Sequence, residues 1–240
     1  MKKLSITCII PFYNEAGRIE TVLEQLTSIA TIDKIICVDD GSTDDTSEEI
    51  EHNFSQVKVV KLGKNSGKSA AVAAALPETS STHVLLFDAD LHNFSGTQVV
   101  EAIAAIDESI DMLIFAQTRD PWLLKALRFN ILNSGERIIK TNVLKEMITT
   151  KKPKQYALEP VLNRWCHQKK LKVAWIPFAS DNYMKLEKWD VFSAMLRSVQ
   201  FFHSLFFTQS VLELIKIQKY FYPKQISPPM LTQSTSRRQN

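Results

Sequence analysis

Two aspartates one residue apart, Asp88 and Asp90, follow the short, buried-looking run His83 to Phe87, in the segment Asp88-Ala89-Asp90-Leu91-His92. Carboxylates so spaced, where a strand gives way to a loop, can turn toward a common site. Their hard oxygens suit Mg²⁺ or Mn²⁺ held jointly with a diphosphate. Such a metal neutralises charge growing on a departing nucleoside diphosphate. His92 adds a nitrogen donor two residues on, which shifts the preference toward Mn²⁺. The plainer alternative is that the two aspartates cap the next helix.

Two other polar clusters end apolar runs, Pro11-Phe12-Tyr13-Asn14-Glu15 and Asp39-Asp40-Gly41-Ser42-Thr43-Asp44. In open α/β sheets ligands sit beyond the carboxyl ends of the strands, so all three clusters mark one end of a sheet. The segment Gly63-Lys64-Asn65-Ser66-Gly67-Lys68-Ser69 resembles a phosphate-binding P-loop but has one residue too few between its glycines. It reads instead as a loop entering an alanine-rich helix, with Gly67 letting the backbone approach a ligand and Lys68 facing a phosphate.

The elements that must position these residues alternate between short Val- and Ile-rich runs and helical segments, which predicts an α/β fold with a mostly parallel sheet. Strands are expected at Leu4 to Ile10, Lys34 to Val38, Val57 to Leu62, His83 to Phe87 and Met112 to Ala116. Between them fall a helix after Asn14 with Ile19, Val22, Leu23, Leu26 and Ile29 on one face, and one N-capped by Ser42 that runs to about His52. Helices over Gly67 to Leu76 and Val99 to Ile106 complete this half. Beyond about residue 118 the alternation weakens. Helices at Trp122 to Leu132 and Ala157 to His167, a strand at Lys172 to Ile176 and C-terminal helices within Val191 to Phe221 would form an acceptor half, 119–222. The stretch 223–240 reads as a disordered tail.

The bulk composition is that of an ordinary globular chain: 240 residues, 45% hydrophobic, with a net charge of +3. This is far from the basic density of a nucleic-acid binder. Cys8, Cys37 and Cys166 have no metal-type spacing, which fits a reducing, cytoplasmic setting. Neither a signal peptide nor a membrane-spanning run is evident.

Read in order, Ile-Ile-Pro-Phe-Tyr-Asn-Glu, Val-Asp-Asp-Gly-Ser-Thr-Asp, Asn-Ser-Gly-Lys, Phe-Asp-Ala-Asp and Ser-Gly-Glu-Arg resemble the motif series of family 2 glycosyltransferases with the GT-A fold, over roughly residues 4 to 180. The resemblance implies an inverting, hexosyltransferase-like enzyme of cell-envelope biogenesis. Its donor would be a UDP- or GDP-sugar, and its cofactor Mg²⁺ or Mn²⁺. It puts Pro11, Tyr13 and Glu15 by the nucleotide and Asp39 by the base or ribose. Asp88 and Asp90, with Ala89 between them, become the metal and diphosphate residues. The Asp-Ala-Asp-Leu-His run is similar to the Asp-Ala-Asp-Leu-Gln loop of polyprenyl-phosphate sugar transferases, so His92 stands where that glutamine approaches the metal.

Arg119 and Arg137 match places where such enzymes keep arginines or where a phosphorylated acceptor approaches, a task suited to the guanidinium fork. Glu159 falls near the acceptor. It would be a general base for a hydroxyl, whereas an ionised phosphate needs none; a glutamate stabilising a helix start is the alternative. An excess of basic residues from Arg119 to Lys154 fits an anionic acceptor or membrane surface. Lys185 and Lys188 before the aromatic-rich stretch Phe201 to Phe207 fit peripheral contact with the inner face of a membrane, and a helix packed in the core is the alternative. Two other functions compete with this one. A sugar nucleotidyltransferase would need a glycine-rich loop after the first strand, and a non-catalytic module that keeps the fold for binding or scaffolding is the alternative that the intact Asp88 and Asp90 argue against.

Overall fold

The structure, a computed structural model, describes residues 4–119, 122, 125, 129–182, 211–221 and 225–227. Its core is a seven-stranded sheet in the order β3-β2-β1-β4-β7-β6-β8. β1 (Ile6–Phe12), β2 (Lys34–Asp39), β3 (Lys58–Lys61) and β4 (His83–Leu86) run parallel. β6 (Met112–Gln117) and β8 (Val173–Phe178) form a second parallel pair. β7 (Arg137–Lys140) joins the two blocks, antiparallel to both β4 and β6.

The expected amphipathic faces are realised. Ile19, Val22, Leu23, Leu26 and Ile29, from α1 (Ile19–Thr27) and the turn after it, are all buried against one side of the sheet. α4 (Gly96–Ala105) packs on the same side, with Ser95 accepting from Thr97 N as its cap. The other side is covered by α3 (Lys68–Ala75), α6 (Thr141–Lys151), α7 (Leu158–Lys169) and α8 (Val211–Phe221). Alanines and a valine on α3 (Ala71, Val72 and Ala75) let its backbone lie close to β1 and β2. The short helix α5 (Phe129–Leu132) contributes Ile131 and Leu132 to this second core.

Several boundaries differ from the sequence reading. Ser42 does not cap a helix: its N–H donates to Asp39 and its hydroxyl accepts from Asn14 N, so α2 begins later, at Thr46–Asn53. β7 and α6 were not anticipated. Four residues, Arg-Ile-Ile-Lys, show no alternation long enough to announce a strand. In the expected disordered tail, Gln225 bridges Trp175 and Ile226 N donates to Trp175 O at 3.0 Å, extending the β8 edge. The expected helices over 191–210, most of the one over 122–132, and the tail beyond 227 lie outside the described residues. Among the described residues, no helix is long and apolar enough to cross a membrane.

Candidate active site

The three polar clusters meet at the carboxyl ends of β1, β2 and β4. From Phe87 to His92 burial alternates: Phe87, Ala89 and Leu91 are buried while Asp88, Asp90 and His92 are partly accessible. The accessible residues of this loop are thus its three polar ones. The apolar set anchors it, with the Phe87 ring 5.2 Å from Phe94 and 6.3 Å from Phe178. β5 (Leu91–His92) then pairs with β9 (Asp181–Asn182), fixing the exit of the loop.

The first two clusters are stitched together. Asn14, at φ 56°, donates its N–H to Ser42 Oγ and accepts from Thr43 N at 2.8 Å, and Glu15 N donates to Thr46 Oγ1. The Glu15 carboxylate accepts from Arg18 Nε at 2.6 Å. Pro11 lies in β1 opposite Val38, and Tyr13 is half-buried at the mouth of this end of the sheet. Asp39 is buried, and its carboxylate accepts from Ser42 N at 2.6 Å and Ser47 Oγ at 2.5 Å. It therefore shapes the loop that follows β2.

Its neighbour Asp40, quoted in the motif but not singled out, grips the next loop: Ser66 N and Gly67 N each donate to its carboxylate at 2.7 Å. Gly67 has φ +89°, and a Cβ there would overlap Gln155 Cα. Its lack of a side chain thus admits the Gln155 backbone and not a ligand, which corrects the sequence reading. Ser69 donates both its N–H and its hydroxyl to Gln155 O, so protein groups occupy the start of α3.

That stitch brings Lys68 to Glu159, in the first turn of α7. Lys68 Nζ lies 2.5 Å from Asp88 Oδ1 and 2.6 Å from Glu159 Oε1. Burial works against the ammonium, but the two carboxylates outweigh it and hold Lys68 above the ordinary lysine range. The sequence reading had Lys68 facing a phosphate; here its partners are the carboxylates of Asp88 and Glu159.

Glu136, which the sequence reading passed over in favour of the neighbouring arginine, lies beneath Asp88. It is buried and accepts from Gln117 Nε2 and Ser134 Oγ at 2.9 Å each. Its other oxygen has no hydrogen-bond partner among the described residues. Burial first, and the charge of Asp88 second, push its carboxyl up to about 7. Gly135 lies against Asp88: a Cβ there would meet the carboxylate, with Cγ at 2.8 Å.

The two predicted acceptor arginines part company. Arg119, half-exposed, pairs with Asp181 at 2.5 Å; Asp181 also accepts from Asn93 Nδ2 and faces His92. Arg119 and His92 thus share one rim, and Asp181 organises it. Arg137 is fully buried and donates to Leu132 O, Ser134 O and Asn163 Oδ1. It does not reach an acceptor, because every strong partner it has is internal. Nor do the basic residues from Arg119 to Lys154 form one face. Lys140 pairs with Asp111 and lies opposite His83, at the end of β4 remote from Asp88, and Lys145 Nζ donates to Thr79 O. Lys185, Lys188 and the aromatic stretch fall outside the described residues.

No group of three His, Cys, Asp or Glu able to hold a metal occurs among the described residues. The donor set still fits a divalent ion. Mg²⁺ is ordinarily held by one or two carboxylates together with substrate phosphate oxygens, without an all-protein cage. Asp88 and Asp90, accessible and oxygen-only, are such a pair.

A mostly parallel sheet carrying an Asp-x-Asp loop at its strand ends defines a glycosyltransferase fold of the GT-A class. Glucosyl-3-phosphoglycerate synthase from Mycobacterium tuberculosis, solved with Mn²⁺ and UDP-glucose, superposes with a TM-score of 0.67 over 85% of this chain and 78% of that one, at 21% identity. The glycosyl transferase family 2 profile matches residues 7–173, and the chain belongs to that family. Dolichyl-phosphate beta-glucosyltransferase of Saccharomyces cerevisiae is 28% identical over 162 residues, 61% of this chain and 47% of the relative. Undecaprenyl-phosphate 4-deoxy-4-formamido-L-arabinose transferase of Serratia proteamaculans is 27% identical over 205 residues, 77% of this chain and 57% of the relative. The chain spans about half the length of these curated relatives.

Proposed function

We propose that this protein transfers a sugar, with inversion, from a UDP- or GDP-sugar to an anionic acceptor of the polyprenyl-phosphate class. The observation that carries the reading is the convergence at one sheet end of an accessible Asp88/Asp90 pair, Lys68 and Glu159. The names of the curated relatives support the acceptor class, and the solved relative's Mn²⁺ and UDP-glucose support the donor class.

Asp88 and Asp90 would hold Mg²⁺ or Mn²⁺, with His92 close by; the ion supplies Lewis-acid neutralisation of the leaving diphosphate. Pro11, Tyr13, Glu15 and the loop set by Asp39 would frame the nucleoside. Arg119 stands on the rim where an acceptor phosphate would enter, and its planar fork suits phosphate oxygens. Glu159 would take the proton of a hydroxyl acceptor; a phosphate acceptor attacks already ionised, leaving Glu159 a positioning task. The membrane-borne acceptor and a peripheral position at a membrane's inner face belong to this same proposal.

Isothermal titration with UDP, GDP and their sugar conjugates, with and without Mn²⁺, tests it. Metal-dependent binding of one nucleotide, lost in Asp88→Ala, is the expected result. Absence of nucleotide binding with either metal would defeat the catalytic reading.

A further inference from the structure

Lys68 joins two carboxylates that belong to opposite sides of the proposed reaction. Its Nζ is within 2.6 Å of both Asp88 Oδ1 and Glu159 Oε1. The three side chains keep only 15, 26 and 14% of their exposure, so water screens the contacts weakly. The Lys68 backbone is fixed on both flanks, by Asp40 through Ser66 N and Gly67 N and by Gln155 O through Ser69 N. The side chain beyond it is a four-carbon stem with free torsions. If anything moves in this cluster, it is the ammonium and not the loop.

A divalent cation that takes Asp88 Oδ1 as a ligand meets an ammonium already at hydrogen-bond distance from that atom. Two cations cannot both keep that position, because their mutual repulsion at such separations is several times thermal energy even at the effective dielectric of a partly buried site. A diphosphate entering with the metal offers the ammonium another anion, so the exchange is favourable only when both arrive together.

We propose that Lys68 is a displaceable counter-ion shared by Asp88 and Glu159, drawn off both when metal and diphosphate load, so that donor binding unmasks Glu159. The proposal rests on the donor-site reading above and deepens it. Metal and nucleotide then bind cooperatively, and the acceptor-side carboxylate is released from its ion pair only when a donor is present. Lys68 is a positioning residue in this scheme, acting through Asp88 and Glu159.

The test reads metal binding, not turnover. Mn²⁺ uptake by metal-free protein is followed from the electron paramagnetic resonance of the free ion, with and without UDP or GDP, in the natural chain, Lys68→Met and Lys68→Arg. Circular dichroism reports their fold. The natural chain should bind Mn²⁺ alone weakly and gain about tenfold or more with its nucleotide. Lys68→Met should bind Mn²⁺ alone about tenfold more tightly than the natural chain and lose most of the nucleotide enhancement. Lys68→Arg keeps the charge and should bind Mn²⁺ alone no more tightly than the natural chain. Unchanged Mn²⁺ affinity in a folded Lys68→Met, beside cooperative Mn²⁺–nucleotide binding in the natural chain, would overturn the counter-ion while sparing the donor site. Tightened binding in Lys68→Arg would overturn it too. No Mn²⁺ uptake by the natural chain with either nucleotide would remove the donor site and this proposal together.

Discussion

Replacing Glu136 by glutamine isolates the cost of ionising a carboxyl buried beneath Asp88. In the folded chain this group sits at about 7, against 4.5 when unperturbed. Below 4.5 it is protonated in both folded and unfolded chains and contributes nothing to the pH dependence. Between 4.5 and about 7 the unfolded chain gives up the proton while the folded one keeps it, so stability falls as pH rises, and above 7 the loss is complete. At 1.36 kcal/mol per unit, the full penalty is about 3 kcal/mol, an upper bound because Asp88 shares the charge. Glutamine keeps an oxygen for Gln117 and Ser134 and cannot ionise. Its thermal midpoint relative to the natural chain should therefore rise between pH 5 and pH 8 by several degrees, since about 1 kcal/mol moves a chain of this size by roughly 2–4 °C. Differential scanning calorimetry in chelator, free of metal and nucleotide, measures it. A difference between the two chains that stays flat from pH 5 to pH 8 would refute the reasoning, because it would mean that Glu136 is ionised as easily folded as unfolded.

Two further substitutions separate site from scaffold. Gly135→Ala places a methyl group against the Asp88 carboxylate without a backbone conformation that alanine resists; metal-dependent nucleotide binding by calorimetry should fall about tenfold or more while the thermal midpoint moves little. Arg137→Met strips a buried charged donor from Leu132 O, Ser134 O and Asn163 Oδ1 and should cost about 3 kcal/mol in urea unfolding, with nucleotide affinity of the folded fraction preserved. Lost nucleotide affinity in a stable Arg137→Met would return this arginine to the site.

The half of the fold up to β6 was legible because its signals are local. Short Val- and Ile-rich runs and three-and-four spacings predicted β1, α1, β2, β4 and α4 within a few residues, and Asp88 stands out as the first polar residue after the apolar stretch Val84 to Phe87. Asp40 and Glu136 escaped notice for another reason. Nothing in Asp39-Asp40 says which carboxylate turns toward the Ser66–Gly67 amides, and nothing in Ser-Gly-Glu-Arg says that the glutamate lies under the Asp88 loop while the arginine faces the core. Asp181 was invisible, since its meaning comes from Arg119 and Asn93, far away in sequence. The Lys68–Glu159 pair depends on Gln155 backbone packing against Gly67, a contact with no signature in residue type.

The antiparallel strand β7 carries a consequence for how the chain avoids a wrong assembly. Without it, β4 and β6 each present a buried, apolar edge, the kind of surface that recruits another chain. β7 covers both edges at once, yet its four residues include two adjacent isoleucines that pack equally well on either side of the sheet. Hydrophobicity alone therefore leaves its alignment nearly degenerate. Arg137 breaks that degeneracy: shifted by a single residue, its guanidinium would turn to the opposite face, away from its three carbonyl acceptors. The arginine at the start of β7 thus works as a key that fits only one alignment of the strand closing the sheet.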